Sequence, residues 1–207
     1  MKLRLTLAAV AAVFLSILNM NAKKSYIFLA PGVEEIETMA TIDALRRAEI
    51  PVVAVAVDTT LEIKGATGQT VKADVLIADV DTADADWLIV PGGVPGAPNL
   101  HASKDVNDML QAHYARGGRI ASICAGPAVV LAPAGILKGK KATCYPGLGD
   151  AINANGGTYI KAKVVSEPGL ITSEGPGTTL PFAIEIIRQT KGDKVADDTA
   201  ASMLVDL

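Results

Sequence analysis

Residues 119–132, RIASICAGPAVVLA, decide the fold. An apolar run from Ile120 to Ile123 ends at a cysteine, and two small residues, Ala125 and Gly126, leave room for a sharp turn into a second apolar segment. A strand that stops at a nucleophilic side chain and turns at once into a helix has the make-up of a nucleophile elbow. The Cys124 thiol would then stand at the carboxyl edge of a sheet, where open α/β folds bind ligands. Helix N-terminal amides there favour a thiolate, so the pKa of Cys124 is expected to be depressed. Taken alone, a cysteine at a strand end is as readily a small buried hydrophobe, and its neighbourhood has to decide.

Outward from this stretch the chain alternates short β-branched runs with longer amphipathic ones. Upstream, residues 26–30 read as a first strand closed by Pro31 and Gly32. Ile36, Met39, Ala40, Ile42, Ala44 and Leu45 then recur at helical spacing over residues 35–47. Residues 52–57 form a second buried strand, residues 61–77 a polar β excursion, and residues 87–90 a strand that stops at Pro91-Gly92-Gly93. Ser103 caps a helix that runs to about Tyr114, with His113 on its solvent side, and the Asn99-Leu100 pair ahead of it reads as a turn. Downstream come a short strand at 141–143, a helix at 148–154, a β pair at 159–165 and 170–172, and helices from Thr178 and Lys194. The alternation implies a flavodoxin-like, doubly wound, mostly parallel sheet with helices on both faces.

Composition agrees. Half of the 207 residues are hydrophobic but only 4% are aromatic, so Ala, Val, Ile and Leu must fill the core, as in strands covered on both faces. That length favours one domain, residues 23–207. The net charge is −3 and Lys and Arg form no run, which argues against stable nucleic-acid binding. Residues 1–22 are a separate unit in which Lys2 and Arg4 precede an apolar stretch at 5–18 broken only by Thr6 and Ser16. This is a signal peptide or an uncleaved anchor, giving an exported or membrane-attached protein whose only membrane contact is through residues 1–22. Translation from Met20 is the alternative and would leave the protein cytoplasmic. Two cysteines, Cys124 and Cys144, permit a disulfide that nothing in their spacing demands, and they do not make a metal site.

Five ordered blocks settle the prior on Cys124. GVEEIET at 32–38, LRRAEIPV at 45–52, VPGGVPGAPNL at 90–100, ASICAGPA at 121–128 and SEGPGTT at 173–179 closely resemble the ThiJ/PfpI superfamily, with its class I glutamine amidotransferase-like domain. The branch is that of the parkinsonism-associated protein deglycase and its bacterial relatives. The resemblance implies that Cys124 is the nucleophile and that Glu37 projects from the first helix toward its sulfur. A carboxyl so placed should hold its proton against desolvation and the neighbouring charge. By the same resemblance Gly92, Gly93 and Ala125 form a pocket whose backbone donors hold a negative oxygen. Asn99 and the turn at 175–178 read as structural. The resemblance also implies a homodimer and no cofactor or metal.

The pattern breaks where many relatives carry a histidine. Ala125 follows the cysteine, and Tyr145 stands at the later histidine position, where a phenol can donate a hydrogen bond but is a poor base at neutral pH. His101 is the remaining accessory candidate, and peptidase activity loses its usual Cys-His pair. The 66–68 segment also lacks an arginine that some relatives carry. The resemblance then implies a cofactor-free, glutathione-independent glyoxalase (a lyase) or protein deglycase (a hydrolase), linked to oxidative and carbonyl stress. Its substrates are methylglyoxal-type dicarbonyls or their adducts with amines and thiols. The alternative from another class is a redox sensor or chaperone that uses the same oxidisable cysteine.

Overall fold

The computed structural model describes residues 23–206, so the leader assignment at 1–22 lies outside the described residues. The first strand β1 (Ser25–Leu29) leads into α1 (Glu35–Arg47), and β2 (Val52–Ala56) pairs parallel to β1. The excursion that follows contains an antiparallel hairpin, β3 (Glu62–Lys64) with β4 (Thr70–Lys72), and then β5 (Val75–Leu76), which returns to the sheet beside β2. Strand β6 (Trp87–Val90) precedes α2 (Gly96–Ala102) and α3 (Lys104–Ala115), and β7 (Arg119–Ile123) ends at Cys124. A π-helical turn (Pro127–Leu131) follows, then β8 (Lys141–Ala142), α4 (Gly149–Ala154), β9 (Thr158–Tyr159), β10 (Val164–Glu167) and β11 (Leu170–Ser173). The described chain closes with α5 (Thr179–Lys191) and α6 (Asp193–Ser202).

The main sheet has seven strands in the order β10-β11-β7-β6-β1-β2-β5, all parallel except the β10/β11 hairpin. This is the expected flavodoxin-like α/β domain. Its parallel strands are apolar along their length because both faces are covered: Ile27, Phe28 and Leu29 of β1 and all four residues of β6 are fully buried. Each such side chain contributes roughly 1.5–3 kcal/mol by leaving water. Trp87, the only tryptophan, is buried too; its Nε1–H donates to Thr190 Oγ1 at 2.8 Å, and the Arg119 guanidinium lies 4.7 Å from the centre of its ring.

Three local expectations are corrected. Residues 96–102 are helical rather than a turn, because Gly96 and Ala97 are small enough to pack against β1's loop, with Gly96 N–H donating to Gly32 O at 3.0 Å. The run 159–165 is not one strand: β9 pairs parallel with β8 in a separate two-stranded sheet, and β10 belongs to the main one. His113 is buried, not solvated. Val106, Leu110 and His113 follow at helical spacing along the inner stripe of α3, and the His113 ring nitrogens meet Arg119 O at 3.0 Å and the Arg116 guanidinium at 3.1 Å.

Candidate functional site

In the sheet order, β1 continues to β2 on one side and β6 lies on the other, so the chain changes winding direction between β1 and β6. Loops diverge from the carboxyl edge at such a point and leave a crevice. The elbow after β7, the 91–93 turn after β6 and the start of α1 meet at this edge.

Cys124 sits on the elbow at φ +63°, a left-handed conformation that side chains seldom adopt. It is pinned on both sides: its N–H donates to Ser173 O at 2.9 Å and its carbonyl accepts from Tyr145 N–H at 2.7 Å. Only 8% of the residue is exposed. Gly92 has to be glycine here, because a Cβ on it would lie 2.6 Å from Cys124 Cβ and 2.9 Å from Sγ.

Glu37 lies in the first turn of α1 and is fully buried, an uncommon position for a glutamate without a cationic partner. Its Oε2 accepts from Gly92 N–H at 2.7 Å. Its Oε1 is buried without a hydrogen-bond partner of ordinary geometry, and the group that interacts with the carboxyl from across the site is the Cys124 thiol. Glu34 fixes the helix start: its Oε2 accepts from Glu37 N–H at 2.7 Å, and its carbonyl from Thr38 Oγ1 at 2.9 Å. This cap was not read from the sequence, since glutamate is outside the usual N-cap set. The neighbouring Glu35 holds the 65–69 loop to the start of α1, its Oε1 accepting from Thr67 N–H and Oγ1, both at 2.8 Å, and from Gln69 N–H at 3.3 Å.

Burial raises the Glu37 pKa from 4.5 to about 7, with Gly92 and Cys124 hydrogen bonds opposing and the Glu34 charge adding to the rise. The depressed thiol pKa expected from the elbow is corrected. Burial, and after it an ionised Glu37, push Cys124 up to about 12, against the opposing amides of Gly93 and Ala125. That balance turns on where the proton sits. When Glu37 carries it, the repelling charge is gone and the carboxyl can donate to sulfur, so a thiolate here goes with a neutral Glu37.

Of the pocket residues, Gly93 and Ala125 direct their amides at the sulfur, whereas the Gly92 N–H is committed to Glu37. Tyr145 is half exposed beside the elbow. His101 lies exposed near the end of α2, and among the described residues no hydrogen bond joins it to Cys124 or Glu37. Asn99 Nδ2 donates to Pro31 O at 2.8 Å and Thr178 Oγ1 closes the 175–178 turn, both structural roles. Cys144 is buried, and both thiols are free. Among the described residues no three His, Cys, Asp or Glu side chains gather in the manner of a metal site.

A cysteine on a strained elbow facing a buried carboxyl, on a doubly wound sheet, defines a class of α/β protein with a thiol-centred site. The DJ-1/PfpI family model matches residues 23–189, and the chain belongs to that family. It is 37% identical over 175 residues to the glutathione-independent glyoxalase DJR-1.2 of Caenorhabditis elegans, covering 84% of this chain and 92% of that one. The oxidised DJ-1 of Toxoplasma gondii has a similar solved structure, with a TM-score of 0.85, 37% identity, and coverage of 90% of this chain and 100% of that one. Protein DJ-1 homolog A of Arabidopsis thaliana is 34% identical over 177 residues, 86% of this chain, but the match spans only 45% of the plant protein's length.

Proposed function

We propose that the protein is a cysteine-dependent, glutathione-independent glyoxalase or deglycase acting on methylglyoxal-type dicarbonyls or on their early adducts with amines and thiols. One observation carries this reading: a fully buried glutamate, with its pKa raised to about 7, is held against the thiol of a strained elbow. A group that must take and give a proton in turn works best when its pKa lies near the operating pH.

In this mechanism Glu37 accepts the Cys124 proton and sulfur adds to the aldehyde carbon of the ketoaldehyde. The new oxyanion, with the Gly93 and Ala125 amides as donors on that side, takes that proton back from Glu37 as the hemithioacetal forms. Glu37 then takes the proton from the former aldehyde carbon and gives it to the ketone oxygen, which leaves an enediol; it next takes the proton of the hydroxyl on the sulfur-bearing carbon and gives it to the adjacent carbon, which leaves a hydroxyl there and a thioester. Water cleaves the thioester to release the hydroxy acid and restore the thiol; the sum is methylglyoxal plus water to lactate. These steps use only groups of the chain and water. Peptidase activity is less well supported, because no histidine stands by the thiol to serve as its base.

The test is methylglyoxal consumption with lactate detection, without glutathione, on the full chain beside Cys124→Ser and Glu37→Gln. Turnover lost in both variants is the expected result; no turnover in the intact protein overturns the proposal.

A second reading, redox sensing or chaperone activity through the same sulfur, draws on the similar Toxoplasma protein having been solved in an oxidised form. It predicts that peroxide oxidises Cys124 in a protein that does not turn over dicarbonyls. As further parts of the proposal, the chain forms a homodimer, with the exposed Ile36 and Met39 of α1 at the contact. Residues 1–22 direct export or anchoring; the mass of the mature protein distinguishes a cleaved leader, a retained anchor and a start at Met20.

A further inference from the structure

Among the described residues five large apolar side chains stand exposed: Ile36, Met39, Val94, Tyr145 and Leu204. Ile36 and Met39 lie on α1, and Leu204 follows α6. The other two flank Cys124. In the sheet, β7 lies between β6 and β11, and the thiol at the end of β7 therefore has one neighbour on each side.

On the β6 side, Val94 is 75% exposed and follows by two residues the Gly92 backbone that abuts the Cys124 side chain. On the β11 side, Tyr145 is 50% exposed. Its N–H donates to the Cys124 carbonyl, and its ring covers Gly175, lying 3.4 Å from where a Cβ on that glycine would be. Gly175 comes two residues after Ser173, whose carbonyl accepts from Cys124 N–H. Val94 and Tyr145 thus belong to the two segments that touch Cys124 from either side, one bringing an isopropyl group and the other a phenol ring to the surface beside the elbow.

Both side chains present apolar surface to water, and an apolar substituent on the substrate would remove that surface from water at about 25 cal/mol per Å².

Building on the function proposed above, we propose that Val94 and Tyr145 form an apolar cleft that selects α-oxoaldehydes bearing an aryl or branched alkyl group over methylglyoxal. They are specificity-determining residues, set apart from the proton-transfer pair.

The experiment has two readouts on the full chain and on Val94→Ser and Tyr145→Ser, both exposed positions that tolerate a polar side chain. The first is the ratio of kcat/KM for phenylglyoxal to that for methylglyoxal. The second needs no turnover: the rate of Cys124 alkylation by phenacyl bromide relative to bromoacetone, followed by mass of the Cys124 peptide and divided by the same ratio for 2-mercaptoethanol. Both ratios are expected at about tenfold in favour of the aryl compound, the low end for an apolar contact in a specificity pocket, and at least about threefold lower in each variant. A normalised alkylation ratio of one, or ratios unchanged in both variants, overturns the cleft. If neither dicarbonyl is turned over, the enzyme reading falls and the alkylation ratios alone decide the cleft.

Discussion

Replacing Glu37 by glutamine should change the sign of its effect on stability with pH. In the unfolded chain the carboxyl has its ordinary pKa of 4.5, and in the folded protein burial raises it to about 7. The folded site thus binds a proton that the unfolded chain has released, and stability falls as pH rises from about 4.5 to 7. At about 1.4 kcal/mol per pH unit, the loss is roughly 3 kcal/mol by pH 8. This holds whether the remaining proton sits on oxygen or sulfur, because the buried pair carries one negative charge either way. Glutamine keeps an oxygen to accept from Gly92 N–H, but its NH2 group faces a thiol that accepts weakly, at a cost of about 1 kcal/mol. The variant should therefore be less stable than the wild type by about 1 kcal/mol at pH 4 and more stable by about 2 kcal/mol at pH 8. Urea unfolding followed by the fluorescence of Trp87, the single and fully buried tryptophan, reads this directly. Parallel stability curves for the two proteins across this range would refute the buried, proton-holding carboxyl.

Four further outcomes are expected. In the wild type, kcat/KM for methylglyoxal should rise with pH through about 7 as the pair loses its first proton, and Glu37→Gln should remove both the activity and that inflection. Gly92→Ala should cost about 100-fold in kcat/KM, since a Cβ 2.6 Å from Cys124 Cβ displaces the thiol by nearly 1 Å; the same overpacking should lower the urea-unfolding free energy by about 1–3 kcal/mol. Glu35→Ala removes three hydrogen bonds from the 65–69 loop and should speed limited proteolysis there, with about 1 kcal/mol lost in global stability. Glu37→Gln should still be oxidised at Cys124 by peroxide, read by intact mass, which separates sulfur access from proton transfer.

The fold was legible because its signals are local and repeated. Apolar runs stopped by Pro31-Gly32 and Pro91-Gly92-Gly93 ended strands where expected, and helical spacing marked α1 at its observed bounds, Glu35–Arg47. Helix α2 was missed because it is held by Gly32 and Val33, residues more than sixty positions away, and its own sequence is rich in glycine and proline. His113 carries a signal in its spacing from Val106 and Leu110 on the buried stripe of α3, which its polar side chain masks. Of the residues singled out for the site, Cys124, Glu37, Gly92, Gly93 and Ala125 converge and Tyr145 lies beside the elbow, whereas among the described residues no hydrogen bond joins His101 to Cys124 or Glu37. What sequence could not give is the division of the amides, with Gly92 serving the carboxyl and Gly93 and Ala125 the sulfur, or the pKa that burial sets. Both depend on how closely three separate loops approach.

The arrangement of proton donors also bears on which use of Cys124 the protein favours. A sensor needs a sulfur that peroxide can reach and a thiolate for it to attack. From Glu37 it needs only a hydrogen bond to sulfur, which the protonated carboxyl can give, while the ionised form opposes the thiolate. The cost of burying Glu37, roughly 3 kcal/mol above neutral pH by the linkage worked out above, is added to an elbow residue at φ +63°, itself worth about 1–3 kcal/mol of strain. Such costs persist where chemistry requires the geometry. An isomerisation that moves a proton between adjacent carbons requires one group within reach of both, able to be acid and base near pH 7. In the proposed isomerisation Glu37 would fill that role, whereas a sensor that merely stored oxidised sulfur asks only for a neutral donor, which glutamine would supply as well.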